Sequence, residues 1–346
     1  MLAFFLWHIG VLVPIRCSGE EDMENLAKVH WKEHILPIMP PQLKDLLAGL
    51  SGAAEAKLEE IRLRAGRPLL VRTGSGETQV GRDMVTAADL QSVLLLITEY
   101  SLYARDEELK RGYLALPGGH RAGFVGRTVL EGGEVKLLRD ISGINIRIAR
   151  QVLGAGKQLL PSLYCQKTRR VRHTLIISAP QAGKTTVLRD LARLFGNGDA
   201  ASGRPAFNVG IVDERSEIAG CYQGVPQLDV GLRSDVLDGC PKAEGMMMLV
   251  RSMSPQIVVT DELGRPEDAR AVEEAVNTGA SILATAHGQS MTELFRRPSL
   301  AYLLEQKMFE RIVVLSRRKG PGTIEGVYDG EAFDTDKQAG GKINVG

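Results

Sequence analysis

A loop rich in small residues, with one lysine and two threonines, is the part of this sequence whose spacing most directly indicates chemistry. An apolar run, Leu175–Ile177, precedes the loop, and a helix-like segment, Val187–Leu194, follows it. A strand, a tight loop ending in Gly-Lys-Thr and a helix form a cradle for phosphates and Mg²⁺. We therefore expect ATP to bind through Ser178, Ala179, Pro180, Gln181, Ala182, Gly183, Lys184, Thr185 and Thr186.

The first position of this loop departs from the usual pattern. The pattern G-x-x-x-x-G-K-[ST] has glycine where this chain has Ser178. If the backbone there needs a positive φ, Ser178 costs about 1 kcal/mol of local strain. A chance Gly-Lys-Thr in an unrelated loop is the alternative, and the flanking strand and helix patterns argue against it.

Two carboxylates at the end of another apolar run fit the same chemistry. Ile257–Thr260 leads directly into Asp261 and Glu262. We expect Asp261 and Thr185 to hold Mg²⁺ and Glu262 to act as the base that orients the attacking water. Alone, the motif is equally well explained by a buried strand that ends in a solvated turn. Combined with the phosphate loop, it favours Mg-dependent ATP hydrolysis.

Alternating strand and helix patterns from residue 173 to about 332 predict an α/β fold with a parallel sheet. In such a sheet the carboxyl ends of the strands form the ligand-binding edge. Ser178, Asp213, Asp261 and His287 all lie at predicted strand ends. The sequence therefore predicts that these residues meet in one crevice.

The segments outside this α/β domain have different patterns. Residues 35–150 predict a smaller α+β domain with a hairpin that turns at Pro117–Gly119, in which Gly123 and Gly126 indicate bulges or close backbone approach. Residues 151–172 predict a linker helix, whose basic residues are better explained as a solvated charge run than as a nucleic-acid contact. Residues 333–346 are predicted to be a disordered tail.

Composition and charge narrow the possible functions. The chain has 346 residues and a formal net charge of +1, so no global field attracts nucleic acid or anionic lipid. Its four cysteines form no C-x-x-C pair, which favours free thiols in a reducing compartment.

The apolar N-terminus has two open interpretations. Residues 1–15 are shorter than the roughly 20 residues that span a bilayer, and they lack the basic start of a signal peptide. Translation from Met23 is favoured over a weak membrane anchor. Residues 1–34 are therefore expected to be an extension that is mis-started or disordered, and the protein is expected to be cytoplasmic.

Several longer stretches resemble one protein family. They are Pro117–Arg121, Leu138–Ser142, Arg233–Lys242 and Met246–Glu262. With these motifs, about residues 40–330 closely resemble the stage III sporulation protein AA family, which is similar to the ATPases of type II and type IV secretion systems.

The resemblance implies a RecA-like P-loop domain, a homo-hexamer and a role in endospore formation. It further implies membrane proteins of a sporulation channel complex as partners, which would hold the protein peripherally at the membrane between mother cell and forespore. By the same resemblance, Glu214 lies in an acidic box and competes with Glu262 as the base, and His287 lies in a histidine-box strand.

Other assignments stay open at this stage. RecA-like sites are often completed by an arginine from a neighbouring subunit or domain, and the candidates are Arg147, Arg150, Arg215 and Arg233. A nucleic-acid translocase or repair ATPase is the alternative function, which the near-neutral charge and the lack of an aromatic and basic platform disfavour. We therefore expect no nucleic-acid partner. A scaffold that binds ATP but hardly hydrolyses it is a third alternative, against which Lys184 and Glu262 argue.

Overall fold

The computed structural model describes residues 31–101, 105–110, 112–330 and 342–343, and two large sheets organise them. The first is a six-stranded antiparallel sheet with the strand order β3-β2-β1-β6-β5-β4. Its strands are β1 (Leu58–Arg64), β2 (Arg67–Thr73), β3 (Gly76–Val85), β4 (Tyr113–Ala115), β5 (Arg121–Glu131) and β6 (Glu134–Arg147).

Short helices accompany this sheet, and apolar side chains from both form one core. Alternation along β1 buries Ile61 and Leu63, and these pack in one cluster with Trp31 and Leu90. Because Trp31 belongs to this core, the core includes residues before position 35, where the α+β domain was predicted to begin. The helices are α1 (Trp31–Ile35), α2 (Pro41–Ala48), α3 (Gly52–Ala56), α4 (Ala87–Ile97) and α5 (Asp106–Lys110).

The second sheet has eight strands in the order β11-β10-β12-β13-β9-β14-β15-β16. Pairing is parallel from β11 through β14 and antiparallel beyond it. The predicted α/β class with a parallel sheet is confirmed. The strands are β7 (Tyr164–Cys165) and β8 (Arg170–Val171), which form a separate pair, then β9 (Thr174–Ser178), β10 (Val209–Asp213), β11 (Ser234–Asp238), β12 (Ile257–Thr260), β13 (Ser281–His287), β14 (Arg311–Ser316), β15 (Thr323–Asp329) and β16 (Lys342–Ile343).

The strands at the centre of this sheet are buried along their length. Every residue of β9, β10 and β12 is buried, as expected where apolar clusters lie on both faces of a parallel sheet. The helices of this part of the chain are α6 (Leu160–Leu163), α7 (Lys184–Asn197), α8 (Lys242–Met253), α9 (Pro266–Asn277), α10 (Met291–Leu294) and α11 (Pro298–Glu305).

The linker helix predicted over residues 151–172 is wrong. This segment contains a 3₁₀ turn, the four-residue helix α6 and the two-stranded β7–β8 ribbon. Leu159, Leu163 and Val171 are buried in the same cluster as the core of the large sheet. Burying these side chains stabilises a compact, irregular segment instead of one continuous solvated helix.

Two predicted terminal segments lie largely outside the described residues. These are residues 1–30 of the N-terminal extension and most of the tail over 333–346. Lys342–Ile343 is described and pairs with β15. Among the described residues, no helix is both long and apolar enough to cross a membrane.

A glycine-dependent bulge shapes β5, as the sequence predicted. The register of β5 against β6 shifts between Val125 and Arg127. A Cβ atom added to Gly126 would lie 2.6 Å from the carbonyl oxygen of Arg139, which is closer than real contacts allow. The bulge thus requires glycine at this position because the neighbouring strand approaches it so closely.

We therefore predict that Gly126→Ala lowers the free energy of unfolding by about 1–3 kcal/mol, since the backbone of β6 must shift. Gly123→Ala is the matched control on the same strand, because its added Cβ would lie 3.8 Å from the nearest atom. Denaturant unfolding of both variants measures the difference. Equal losses for the two variants would show that close packing at Gly126 does not constrain this strand.

Candidate active site

The predicted phosphate loop connects β9 to α7 at the carboxyl edge of the parallel sheet. Helix α7 begins at Lys184, and its N-cap is Gly183 with a φ of 88°. The loop also packs on the β14–β15 turn, where the Gly322 N–H donates to the Ala182 carbonyl at 2.8 Å. A Cβ added to Gly183 would lie 2.7 Å from the Gly322 nitrogen, so both the φ and the packing require glycine there.

The positive φ that would have strained Ser178 occurs at another residue of the loop. Ser178 does not have a positive φ, whereas Gln181 does, at 58°. Ser178 is instead the last residue of β9, fully buried, and its hydroxyl donates to the Ala179 carbonyl at 2.7 Å. Serine is therefore compatible with this position, and the left-handed turn falls later in the loop.

Lys184 is buried against the loop. Its ammonium group donates to the Ser178 carbonyl at 3.3 Å, the Ser178 hydroxyl at 3.2 Å and the Ala179 carbonyl at 3.3 Å. Burial lowers the pKa of Lys184 from its ordinary value, whereas the charges of Glu262 and Asp261 act in the opposite direction. The lysine is thus held in the cradle by neutral oxygens that phosphate oxygens could replace.

A chain of polar contacts joins Lys184 to the second motif. His287 Nδ1 lies 3.1 Å from the Lys184 ammonium, and His287 Nε2 lies 3.0 Å from Glu262 Oε1. Because an ammonium group can only donate, Nδ1 accepts and Nε2 carries the proton that it donates to Glu262. Arg215 forms an ion pair with the other oxygen of Glu262 at 2.6 Å. The structure therefore brings Lys184, His287, Glu262 and Arg215 together.

The backbone of Glu262 is fixed as closely as its carboxylate. Its φ is 49°, and its N–H donates to the Thr285 hydroxyl at 2.9 Å. Thr285 is fully buried in β13, and its carbonyl also accepts from the Leu263 N–H at 2.8 Å. This buried threonine orients the turn after β12, a role that the sequence analysis missed.

Asp261 is a buried carboxylate that lacks partners. It is 1% exposed, and neither of its oxygens has a hydrogen-bond partner among the described residues. Burial, reinforced by Asp213, raises the pKa of Asp261 to about 7. Unpaired carboxylate oxygens at this depth are the groups that a divalent cation or its water shell would satisfy.

The two candidate bases have different surroundings. Glu214 forms a close ion pair with Lys242, which is 7% exposed and begins α8. Glu262 contacts His287 and Arg215 instead. The role of Lys242 is not predictable from the sequence, because its partner lies 28 residues away and no local pattern connects them.

Asp213 is placed at the predicted edge, but its contacts are with the backbone. Its carboxylate accepts the N–H groups of Glu217, Ile218 and Ala219 at 2.8, 2.9 and 2.8 Å. It therefore organises the loop that follows β10, leaving Glu214 and Arg215 as the side chains of this segment that reach the other site residues.

The four candidate arginines do not share one location. Only Arg215 contacts a site carboxylate. Arg150 donates to the Ala56 and Leu58 carbonyls, and Arg147 is largely exposed at 3.9 Å from Glu60. Arg233 precedes β11 and so lies at the opposite, amino edge of the sheet. That one of these arginines completes the site of a neighbouring subunit stays a prediction.

No group of three or more His, Cys, Asp or Glu side chains among the described residues is arranged to hold a metal ion by itself. A cation at Asp261 would thus need further ligands, such as nucleotide phosphates, water or the Thr185 hydroxyl. This is the coordination that Mg²⁺ prefers, since it binds through one or two carboxylates together with substrate phosphates.

Two solved structures share the fold of this chain. The Legionella pneumophila ATPase DotB matches with a TM-score of 0.52 and 14% identity, over 87% of this chain and 82% of that one. The pilus retraction motor PilT with bound ADP matches with a TM-score of 0.51 and 14% identity, over 81% and 77% of the two chains. The fold and the phosphate loop thus define a RecA-like P-loop domain.

Sequence relatives identify the family. A model of the family described as sporulation stage III, protein AA, matches residues 29–333. Stage III sporulation protein AA of Bacillus subtilis (strain 168) is 48% identical over 298 residues, or 85% of this chain and 94% of that protein. Protein SEEDLING PLASTID DEVELOPMENT 1 of Arabidopsis thaliana is 26% identical over 84% of this chain but only 40% of that protein. The chain belongs to the sporulation stage III protein AA family, as its motifs predicted.

The raised pKa of Asp261 predicts that this residue destabilises the nucleotide-free protein at neutral and higher pH. The pKa of Asp261 is about 7 in the folded protein, against an ordinary value of 3.8. At pH values between these two, the folded state binds more protons than the unfolded state. The free energy of unfolding therefore falls as the pH rises through this window, by about 1.4 kcal/mol for each unit of pKa difference. Neutral Asp261→Asn should raise the melting temperature at pH 8, with a gain that shrinks towards pH 4.

Asp213→Asn is the control for this measurement, which is thermal unfolding without nucleotide or metal at several pH values. An amide has one acceptor oxygen, so this variant leaves part of the backbone bonding of the 213–219 loop unmade and should destabilise at pH 8, where Asp261→Asn stabilises. If Asp261→Asn behaves in the same way, Asp261 is a structural residue and its orphaned oxygens do not mark a cation site.

Proposed function

We propose that this protein is a Mg-dependent ATPase that acts as the motor of a secretion-like channel complex in endospore formation. The observation that carries the proposal is the contact chain from Lys184 through His287 to Glu262, next to the unpaired carboxylate of Asp261. It combines a phosphate-binding cation, a candidate base and a candidate metal ligand at one sheet edge. The family supports the sporulation role, and the fold supports the motor class.

Each residue has a distinct proposed role. The loop Ser178–Thr186 binds the ATP phosphates, with Lys184 exchanging its contacts in the loop for phosphate oxygens. Asp261 and Thr185 would hold Mg²⁺, which neutralises charge on the phosphates when it is bound. Glu262 accepts a proton from the attacking water, and His287 holds the carboxylate in place through its Nε2 proton.

The environment of Glu214 favours Glu262 as the base. Glu214 pairs with the buried Lys242 ammonium, and removing a negative charge from such a pair leaves an uncompensated buried charge. The same penalty would arise if Glu214 took a proton during hydrolysis. Glu262 pairs with Arg215, whose side chain is 51% exposed, so solvent can compensate that arginine when Glu262 is protonated.

The family supports a further proposal about assembly and location. We propose a homo-hexamer in which one of the candidate arginines completes the site of a neighbouring subunit, and recruitment to the membrane by proteins of the sporulation channel. In this proposal the partner proteins supply the attachment to the membrane.

The first test of the proposal is nucleotide binding. Lys184→Ala removes the cation buried in the loop, so we predict that affinity for MgATP falls by at least about tenfold, or 1.4 kcal/mol. Lys157→Ala changes an exposed lysine outside the site and should leave affinity unchanged. Titration calorimetry measures both variants, and equal affinity for Lys184→Ala and the wild type would falsify the site.

The second test separates binding from chemistry. Glu262→Gln keeps the shape of the side chain and removes the base, so ATP should still bind while hydrolysis slows by about 10²-fold or more. Glu214→Gln is the competing variant, and we predict that it hydrolyses ATP faster than Glu262→Gln does. Single-turnover rates decide between them. A Glu262→Gln rate near that of the wild type, with a slower Glu214→Gln, would make Glu214 the base.

A further inference from the structure

Buried side chains hold the loop that follows β10, residues 213–219, through hydrogen bonds to its backbone. Asp213 accepts three of its N–H groups, as described above. Arg189, which is 6% exposed in α7, donates to the Glu217 carbonyl at 2.7 Å and to the Ile218 carbonyl. These contacts, which come from β10 and α7, hold the second half of the loop on the parallel sheet.

The first half of this loop carries the residue that contacts Glu262. Arg215 is the loop residue whose guanidinium pairs with the Glu262 carboxylate at 2.6 Å. Because its side chain is half exposed, solvent competes with this ion pair, and the position of the Arg215 backbone determines how well it forms.

One arginine of the N-terminal sheet contacts both halves of the loop. Arg121, at the start of β5, donates to the Arg215 carbonyl at 3.2 Å and pairs with the Glu217 carboxylate at 3.0 Å. Its guanidinium also lies 3.5 Å from the centroid of the Tyr113 ring on β4, which restricts the arginine further. Arg121 thus binds the backbone of the residue that binds Glu262.

Close contacts near Arg121 also restrict where the 213–219 loop can lie relative to the N-terminal sheet. Gly220 directly follows the loop, and a Cβ added to it would lie 3.0 Å from the Cα atom of Gly119. The backbone after the loop is therefore in close contact with the turn before β5. The Gly118 N–H also donates to the Gln227 side chain at 3.1 Å. The N-terminal sheet therefore presents Arg121 to the loop from a fixed direction.

We propose that Arg121 is a positioning residue for hydrolysis, which acts within its own chain by holding Arg215 against Glu262. This inference rests on the proposed function, in which Glu262 is the base. Asp213 and Arg189 already secure the fold of the loop, so what Arg121 adds is a link from the N-terminal sheet to the base. A displacement of that sheet would then move Arg215 and change the orientation of Glu262.

The test is Arg121→Met, which keeps the length of the side chain and removes its charge and donors. We expect kcat to fall by about tenfold, within the hundredfold loss that a displaced catalytic group can cause. The affinity for MgATP should not change, because Arg121 contacts no residue of the phosphate loop. Arg121→Lys keeps a cation for Glu217 and should restore part of kcat. Glu217→Gln weakens the same contact from the other side and replaces Arg121→Met if that variant does not fold.

The dependence on Arg215 distinguishes positioning from a general structural effect. In an Arg215→Met background, Arg121→Met should lower kcat no further, because the link is already broken. Gln151→Ala is the matched control. It removes another contact pair, with the Asp229 backbone at 2.8 and 2.9 Å, that does not touch residues 213–219, and it should leave kcat unchanged.

Each contrary result has a separate meaning. If the wild type hydrolyses ATP no faster than Lys184→Ala does, the proposed function fails and this inference fails with it. If the wild type hydrolyses ATP and Arg121→Met matches it, only the inference is overturned. Equal losses of kcat for Arg121→Met with and without Arg215, or a loss in Gln151→Ala of the same size, would also overturn it.

Discussion

The geometry of the candidate site depends on the register between β9 and β13. This pairing sets Ser178 opposite His287, at the point where both strands end. Because side chains alternate between the faces of a sheet, a shift of one residue would point His287 to the other face. The contacts of His287 with Lys184 and Glu262 require this register, so the buried strands of the sheet determine how the phosphate loop meets the second motif.

Buried carboxyl groups lie at the same edge of the sheet, and one of them lacks a hydrogen-bond partner in the described part of the chain. Asp213 and Asp261 are fully buried, and burial raises the pKa of both carboxyl groups. Asp213 is compensated by backbone N–H groups, and Lys242 compensates Glu214. Asp261 has no such compensation among the described residues. Burial of the unpaired Asp261 carboxylate is therefore unfavourable, and the proposed binding of Mg²⁺ would offset this cost.

The sequence predicted the parts of the site that depend on local patterns. The phosphate loop, the Asp261–Glu262 pair and His287 each follow an apolar strand, and parallel pairing brings such strand ends together. It could not predict Lys242, Thr285 or Arg121, because their partners lie 28, 23 and 96 residues away. The prediction of a linker helix was wrong for a related reason, because Leu159 and Leu163 are buried in a core that strands distant in the sequence form.

The two sheets meet where the 213–219 loop lies, and this arrangement connects the architecture to the proposed motor function. A motor must convert the state of its nucleotide into movement between rigid parts. Here the loop touches Glu262 through Arg215 and touches the N-terminal sheet through Arg121. Solvent reaches the side chains of both arginines, which are 21% exposed in Arg121 and 51% exposed in Arg215, whereas Asp213 is fully buried. In the proposed motor, the Asp213 and Arg189 contacts would preserve the fold of the loop, and Arg215 would respond to a movement of the N-terminal sheet.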